Sequence, residues 1–373
     1  MSHARPQVVQ LTPPGRGAVA SLRLLGPEAA VRAAACVRLA SGKPLANQPM
    51  RRILFAHWGD APSEEVVLSR LAEDVVEVHC HGGKAAVTRI LEQLRGVGFE
   101  VVPWQGAVIQ GEDPIAASAR IALASALTRR TAAILLDQAN GALTRELERI
   151  AAHLHRDELA EARLLLDALL TRAPVGLRLM RPWRIVLRGA PNVGKSSLAN
   201  ALLGYARAIV AATPGTTRDV VTAGAALAGW PVELADTAGE RHSADPLEQA
   251  GIAKAQAAAQ DADLVLDVLD ARDHARVLDP ARPALRVFNK VDLLPAGAPL
   301  PGEIAVSART GQGLRALEQA IVDALVSAPP PPGTAVPFLA AQVSALESAR
   351  AALRAGDLLR AADHIAQVSG RPR

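Results

Sequence analysis

Short apolar runs alternate along the chain with longer stretches in which apolar residues recur at helical spacing. Near the N-terminus, Val8 and Val9 lead into a turn-rich segment, Thr12-Pro13-Pro14-Gly15-Arg16-Gly17. Residues 18–24 then alternate as a strand does, and residues 27–39 carry a helical pattern. Val75-Val76-Glu77-Val78-His79 reads as a strand ending in His81-Gly82-Gly83, and residues 84–94 read as a helix. This mixture predicts an α/β or α+β domain over residues 1–115.

From residue 116 the period becomes helical and stays so. Residues 115–131, 134–155 and 157–170 predict two or three long amphipathic helices, with Ile121, Leu123 and Leu127 on an apolar stripe. Glu146, Glu148, Arg149, Arg156, Asp157 and Glu158 fit a solvated helix face. Beyond residue 180, strands and helices alternate. Ile185-Val186-Leu187 is an apolar strand, followed by a loop and a helix marked by Leu198, Ala201 and Leu202. Residues 219–227 and 230–235 form a hairpin pattern around Ala228-Gly229. Further strands are predicted at 264–269, 285–288 and 304–308, and a helix at 313–326. The Pro329–Pro332 run then separates this region from a last helical segment.

Composition narrows the class. A chain of 373 residues suits two or three domains, and 50% apolar residues suffice for their cores. Aromatics are only 2%, so Ala and Leu must carry the packing. No apolar run reaches the roughly eighteen residues that span a bilayer, and residues 1–10 contain no long apolar core of a signal peptide. The expectation is a cytoplasmic protein without a membrane or DNA partner. Two cysteines, Cys36 and Cys80, lack the spacing of a disulfide framework. His79-Cys80-His81 could open a metal site, but no third or fourth ligand stands nearby; a polar strand end before a Gly-Gly turn is the simpler reading. A net charge of +4 is compatible with RNA without requiring it.

The chemistry centres on Gly189-Ala190-Pro191-Asn192-Val193-Gly194-Lys195-Ser196-Ser197, a Gly-x-x-x-x-Gly-Lys-Ser loop between strand and helix. Its glycines let backbone N–H groups approach phosphate oxygens at a helix N-terminus. Lys195 can reach the outer phosphates, and Ser196 can hold Mg²⁺. Four further elements follow in order. Thr216 and Thr217, in Thr213-Pro214-Gly215-Thr216-Thr217-Arg218-Asp219, can read the γ-phosphate and Mg²⁺. Asp236, in Asp236-Thr237-Ala238-Gly239, is a Mg²⁺-side carboxylate, and the Gly239 N–H can sense the γ-phosphate. Asn289-Lys290-Val291-Asp292 selects the base: a carboxylate accepts two hydrogen bonds from guanine, and adenine has no such donor pair. Ser307 and Ala308 end the next strand and can offer an N–H to the guanine oxygen. An ATP-using P-loop enzyme would leave Asn289 and Asp292 unexplained. Glu240 stands where a water-orienting Gln is used elsewhere, so another device is needed. The Asn192 amide oxygen suggests a monovalent cation, K⁺, beside the phosphates; alternatively Asn192 only holds the loop.

With these motifs, the whole chain resembles the tRNA-modification GTPase family MnmE (TrmE). The resemblance rests on the 12–17 loop, His81-Gly82-Gly83, the helical middle, Ala208-Ile209-Val210 and the G motifs. It implies a folate-binding-type α/β domain at 1–115 that dimerises, a helical domain at 116–180 and 334–373, and an inserted Ras-like P-loop GTPase domain at 181–328. It also implies GTP/GDP binding with Mg²⁺ and K⁺, Asn192 as the K⁺ ligand, transient G-domain dimerisation, and Glu248 before Gly251-Ile252 orienting the attacking water. Wobble-uridine modification of tRNA with a flavoprotein partner would be the process served. Two departures stand out. The sequence ends Val368-Ser369-Gly370-Arg371-Pro372-Arg373 without the family's Cys-x-Gly-Lys tail. The folate-site stretch Pro-Gly-Glu-Phe-Thr is absent near residues 102–107, which weakens the expectation of folate. The alternative expectation is a regulatory GTPase that has lost the modification chemistry and switches an RNA, ribosome or protein partner.

Overall fold

The computed structural model describes residues 5–15, 17–109, 113–205, 207–208, 222–236, 262–273, 284–295, 297–299 and 304–369. Two compact units divide the chain, Met1–Glu112 and Asp113–Arg373.

The first unit runs β1 (Gln7–Gln10), β2 (Val19–Leu25), α1 (Ala29–Ala33), β3 (Val37–Leu39), β4 (Ile53–Trp58), β5 (Glu64–Ala72), β6 (Val75–His81), α2 (Lys84–Gly96), β7 (Glu100–Val101) and α3 (Trp104–Ile109). Its seven strands lie in the order β3-β4-β5-β6-β2-β1-β7. All pairs are antiparallel except β1 with β7. Period-two alternation sends Ala20, Leu22 and Leu24, Leu54 and Trp58, and Val76 and Val78 into one core with Ile90 and Leu94 of α2. The opposite face is polar along β2 and β6. There Ser21 Oγ lies 2.9 Å from His79 Nδ1, and Arg23 Nε donates to Glu77 at 3.0 Å.

That alternation separates the His79-Cys80-His81 set. Cys80 is buried in the core, where loss of solvation pushes its thiol up to about 11. His81 lies on the other side of the strand from it and pairs with Glu64 at 2.5 Å. Among the described residues no three His, Cys, Asp or Glu side chains gather as metal ligands. The 12–17 loop and the Gly82 turn meet: a Cβ on Gly82 would fall 2.2 Å from the Gly17 carbonyl oxygen.

Two sequence expectations change here. The helix predicted over residues 27–39 is confined to Ala29–Ala33, and Val37–Leu39 pairs with β4. Sheet pairing overrides a weak Ala-rich helical pattern. Strands β4 and β5 were not anticipated. Their outer positions, such as Ile53, Phe55 and Val67, are apolar too, so the polar half of the alternation is lost.

The second unit runs α4 (Pro114–Leu123), α5 (Arg129–Ala139), α6 (Ala142–His155), α7 (Leu159–Gly176), β8 (Trp183–Arg188), α8 (Lys195–Tyr205), β9 (Arg207–Ala208), β10 (Thr222–Leu227), β11 (Trp230–Asp236), β12 (Leu264–Asp270), β13 (Ala284–Asn289), α9 (Leu314–Leu325), α10 (Ala340–Arg354) and α11 (Leu358–Ser369). Four helices precede the sheet where two or three were expected, because local signals cut the pattern. Asp113 caps α4 by accepting from the Ala116 N–H, and Thr128 with Thr131 forms a capping box on α5. Gly141, at φ +85°, separates α5 from α6.

The six-stranded sheet has the order β13-β12-β8-β11-β10-β9, parallel across its first four strands. Antiparallel β10 joins β11 through Ala228 and Gly229, both at positive φ, as a two-residue hairpin requires. Residues 304–308 make only a parallel bridge from Ala305 to Phe288 rather than the predicted strand. Beyond that bridge their polar groups turn toward the loop after β13.

Helices and sheet of this unit share a core that includes Leu135, Leu166, Phe338 and Leu346 together with Ile185, Leu187, Leu266 and Val268. Arg130 of α5 lies over the Trp230 ring at 5.0 Å and donates to the Ala228 carbonyl at 2.9 Å. Arg178 lies over Trp183 at 5.3 Å, where the chain enters the sheet. After α9 the chain returns along α5 and α7. Gln138 donates to the Thr334 carbonyl at 3.0 Å and accepts from the Val336 N–H at 3.1 Å. Gly176 then lets Pro337 pass so close that a Cβ there would be 1.9 Å from its carbonyl oxygen. From that crossing α10 packs on α7, and α11 on α6 and α4.

Candidate nucleotide-binding site

The site lies at the C-terminal ends of the parallel strands, where open α/β sheets offer a crevice. The loop between β8 and α8 turns on two glycines that admit no side chain. A Cβ on Gly189, at φ +155°, would sit 2.2 Å from the Val268 carbonyl oxygen; on Gly194, at φ +95°, it would sit 2.4 Å from Asn289 Nδ2. Asn192 adopts φ +64° with its side chain exposed, and Val193 is buried beneath the loop. Lys195, Ser196 and Ser197 form the first turn of α8, with their N–H groups toward its positive end. The Lys195 ammonium donates to the carbonyls of Gly189 at 3.1 Å and Ala190 at 3.0 Å, so its charge lies over the loop mouth.

Asn289 ties three segments together. It is 1% exposed; its Nδ2 donates to the Val193 carbonyl at 2.9 Å and its Oδ1 accepts from the Ala308 N–H at 3.1 Å. Lys290, at φ +68°, reaches back so that its ammonium bonds the Asn192 carbonyl and the Asp270 carboxylate, the latter at 3.0 Å. Asp292 accepts from Ser307 Oγ at 2.6 Å and Arg309 Nε at 2.9 Å. The Ser307 bond, followed by the Arg309 charge, holds its carboxyl below the ordinary value. Ser307 is fully buried and also accepts from the Thr310 N–H at 3.1 Å.

The structure thus brings Gly189, Asn192, Val193, Gly194 and Lys195 together with Asn289, Lys290, Asp292, Ser307 and Ala308. Ser196 and Ser197 follow on the exposed side of α8. Asp236 is placed by its backbone at the end of β11, in register with Leu187 of β8 just before the loop. Thr216, Thr217, Gly239 and Glu248 lie outside the described residues. Three participants escaped sequence reasoning: Asp270, Arg272 and Arg309. For Asp270 the register of the sheet, rather than any motif, shows its place. It ends β12 in register with Asn289, so its carboxylate belongs at the same crevice.

Residues 8–131 match the family described as GTP-binding protein TrmE N-terminus, and residues 184–291 match the 50S ribosome-binding GTPase family. Similarity extends along the chain to the tRNA modification GTPase MnmE of Synechococcus sp., 36% identical, covering 83% of this chain and 79% of that protein. The MnmE of Thermus thermophilus is 35% identical, covering 84% of this chain and 81% of its own. Among solved structures, the G domain of the T. maritima FeoB iron transporter is 27% identical and covers 39% of this chain and 99% of its own, with a TM-score of 0.28.

Proposed function

We infer the function from a fixed premise: the chain belongs to the MnmE (TrmE) family of tRNA modification GTPases. It is a GTP-hydrolysing enzyme of the kind that serves tRNA modification. The observation that carries this reading is the junction of phosphate loop and base loop, in which Asn289 and Lys290 bond the Val193 and Asn192 carbonyls. Phosphate and guanine sites are thereby built as neighbours. The alternative of a regulatory switch without that process is not favoured, because the likeness to MnmE proteins includes the N-terminal unit and not the GTPase region alone.

Each residue's part follows from its chemistry. The backbone N–H groups of the loop through Gly189, Val193, Gly194, Ser196 and Ser197 bind phosphate oxygens. Lys195 neutralises the outer phosphates. Asp292 accepts from guanine N1–H and the exocyclic amine, and the Ala308 segment offers a donor to its oxygen. The charged state of Asp292, favoured by Ser307 and Arg309, keeps it an acceptor at working pH. Glu248 orients the attacking water, and Thr216, Thr217 and Gly239 sense the γ-phosphate. Ser196, Thr217 and Asp236 would hold Mg²⁺; hydroxyl and carboxylate oxygens suit that hard cation. Asn192 would hold K⁺, and its exposed side chain beside the loop is compatible with a cation at the phosphates. Such ions supply positive charge to the transferring phosphoryl group.

The wider reading is a three-part protein: residues 1–115, a helical part at 116–180 and 334–373, and the GTPase part at 181–328. It forms a homodimer through the N-terminal part with transient pairing of GTPase parts, and acts in the cytoplasm on tRNA with a flavoprotein. No helix among the described residues is long and apolar enough to cross a membrane. Hydrolysis measured in matched KCl and NaCl tests the cation assignment: KCl should be faster by about tenfold or more, and equal rates refute a K⁺ role for Asn192.

A further inference from the structure

Lys290 lies on the phosphate loop. Its Cε is 3.8 Å from the place a Gly194 Cβ would occupy, and its ammonium bonds the Asn192 carbonyl. A carbonyl alone is a weak tether for a four-carbon side chain that loses rotamer freedom on being held. The second acceptor is the Asp270 carboxylate, whose side chain is 15% exposed. That carboxylate is itself braced. Arg272 donates to it through Nε at 2.9 Å, through its terminal nitrogen at 2.7 Å and through its backbone N–H at 3.1 Å. The Arg272 bonds first, with Lys290 adding to them, hold the carboxyl far below the usual carboxylate range, which favours its anionic form.

We propose that Asp270 is a positioning residue for guanine nucleotide: braced by Arg272, it holds the Lys290 ammonium on the Asn192 carbonyl, so that base loop and phosphate loop meet the nucleotide already assembled. This rests on the reading of residues 289–292 as the guanine site. The benefit is preorganisation, which strengthens binding by removing an ordering cost rather than by adding a contact. It favours GTP and GDP alike, since neither Asp270 nor Lys290 is assigned to the phosphoryl group that leaves.

The test compares Asp270→Ala, Lys290→Ala and the double variant, reading KM and kcat for GTP and the Kd of a fluorescent GDP analogue. KM follows binding when GTP dissociates faster than it is hydrolysed, and the Kd reads binding directly. The expected result for Asp270→Ala is a rise of about tenfold in both KM and Kd with kcat at saturation unchanged. The double variant should bind no more weakly than Lys290→Ala, because Asp270 acts through that lysine. An unchanged KM, multiplicative losses in the double variant, or a fall in kcat at constant KM would each overturn the proposal; the last is what mere loss of folded enzyme gives. If Asp270→Ala does not fold, Asp270→Asn removes the charge with little change of shape and is read the same way. If Lys290→Ala and Asp292→Asn both leave KM untouched, the guanine-site reading fails; if they raise it while Asp270→Ala is silent, only the present inference does.

Discussion

Asp292, the proposed base reader, is a carboxylate held by its neighbours. Ser307 bonds one of its oxygens and Arg309 the other, which fixes the orientation of the carboxylate. Asp292→Asn replaces an acceptor by a donor. GTP affinity should fall by about a hundredfold or more while xanthosine triphosphate, which carries a carbonyl where guanine has its amine, becomes the better ligand. Competition binding of the two nucleotides checks this, and an unchanged preference for GTP rejects the assignment. Cys80 makes a different prediction. Its raised value means that in alkaline solution the folded protein keeps a proton that the unfolded chain gives up. Stability from this group is therefore intact below the ordinary thiol value of about 8.5 and declines as pH rises from there toward about 11. Urea midpoints at pH 8 and pH 10 should differ less in Cys80→Ala than in the parent protein.

At the scale of elements, the site was more legible than the fold around it. The phosphate loop and the Asn289–Asp292 segment announce themselves because their chemistry dictates residue types at fixed spacing. Asp270, Arg272 and Arg309 do not, since a lone charged residue at a strand end carries no spacing signal. Strands β4 and β5 were hidden by apolar residues on both faces, and the division of the helical middle into four helices by its continuous Ala/Leu period. The breaks were written instead in single residues, Asp113, Thr128 and Gly141, whose capping and left-handed roles outweigh propensity. Gly176 in α7 belongs with these. Its missing side chain admits the Pro337 carbonyl, so Gly176→Ala must push the returning chain off α7. The expected loss is about 3 kcal/mol or more, seen as a lower denaturation midpoint. A loss below 1 kcal/mol would mean the crossing is loosely held.

In the whole second unit, helices and sheet are bound by two Arg–Trp contacts, Arg130 with Trp230 and Arg178 with Trp183, as well as by a common core. Trp230 begins β11, the strand that ends at Asp236, so the helical layer grips one end of an element whose other end reaches the nucleotide crevice. At this scale the family membership makes its broadest prediction. Cells lacking the protein should show loss of the modified wobble uridine in bulk tRNA by nucleoside mass spectrometry, and unchanged tRNA would return the regulatory-switch alternative to first place. The crossing at Gly176 and Pro337 has a genealogical consequence as well. Everything between those residues leaves one point of the helical layer and returns to it. A detour with coincident ends can be spliced in, lengthened or exchanged during descent without rethreading its host, so the two portions are free to keep separate ancestries.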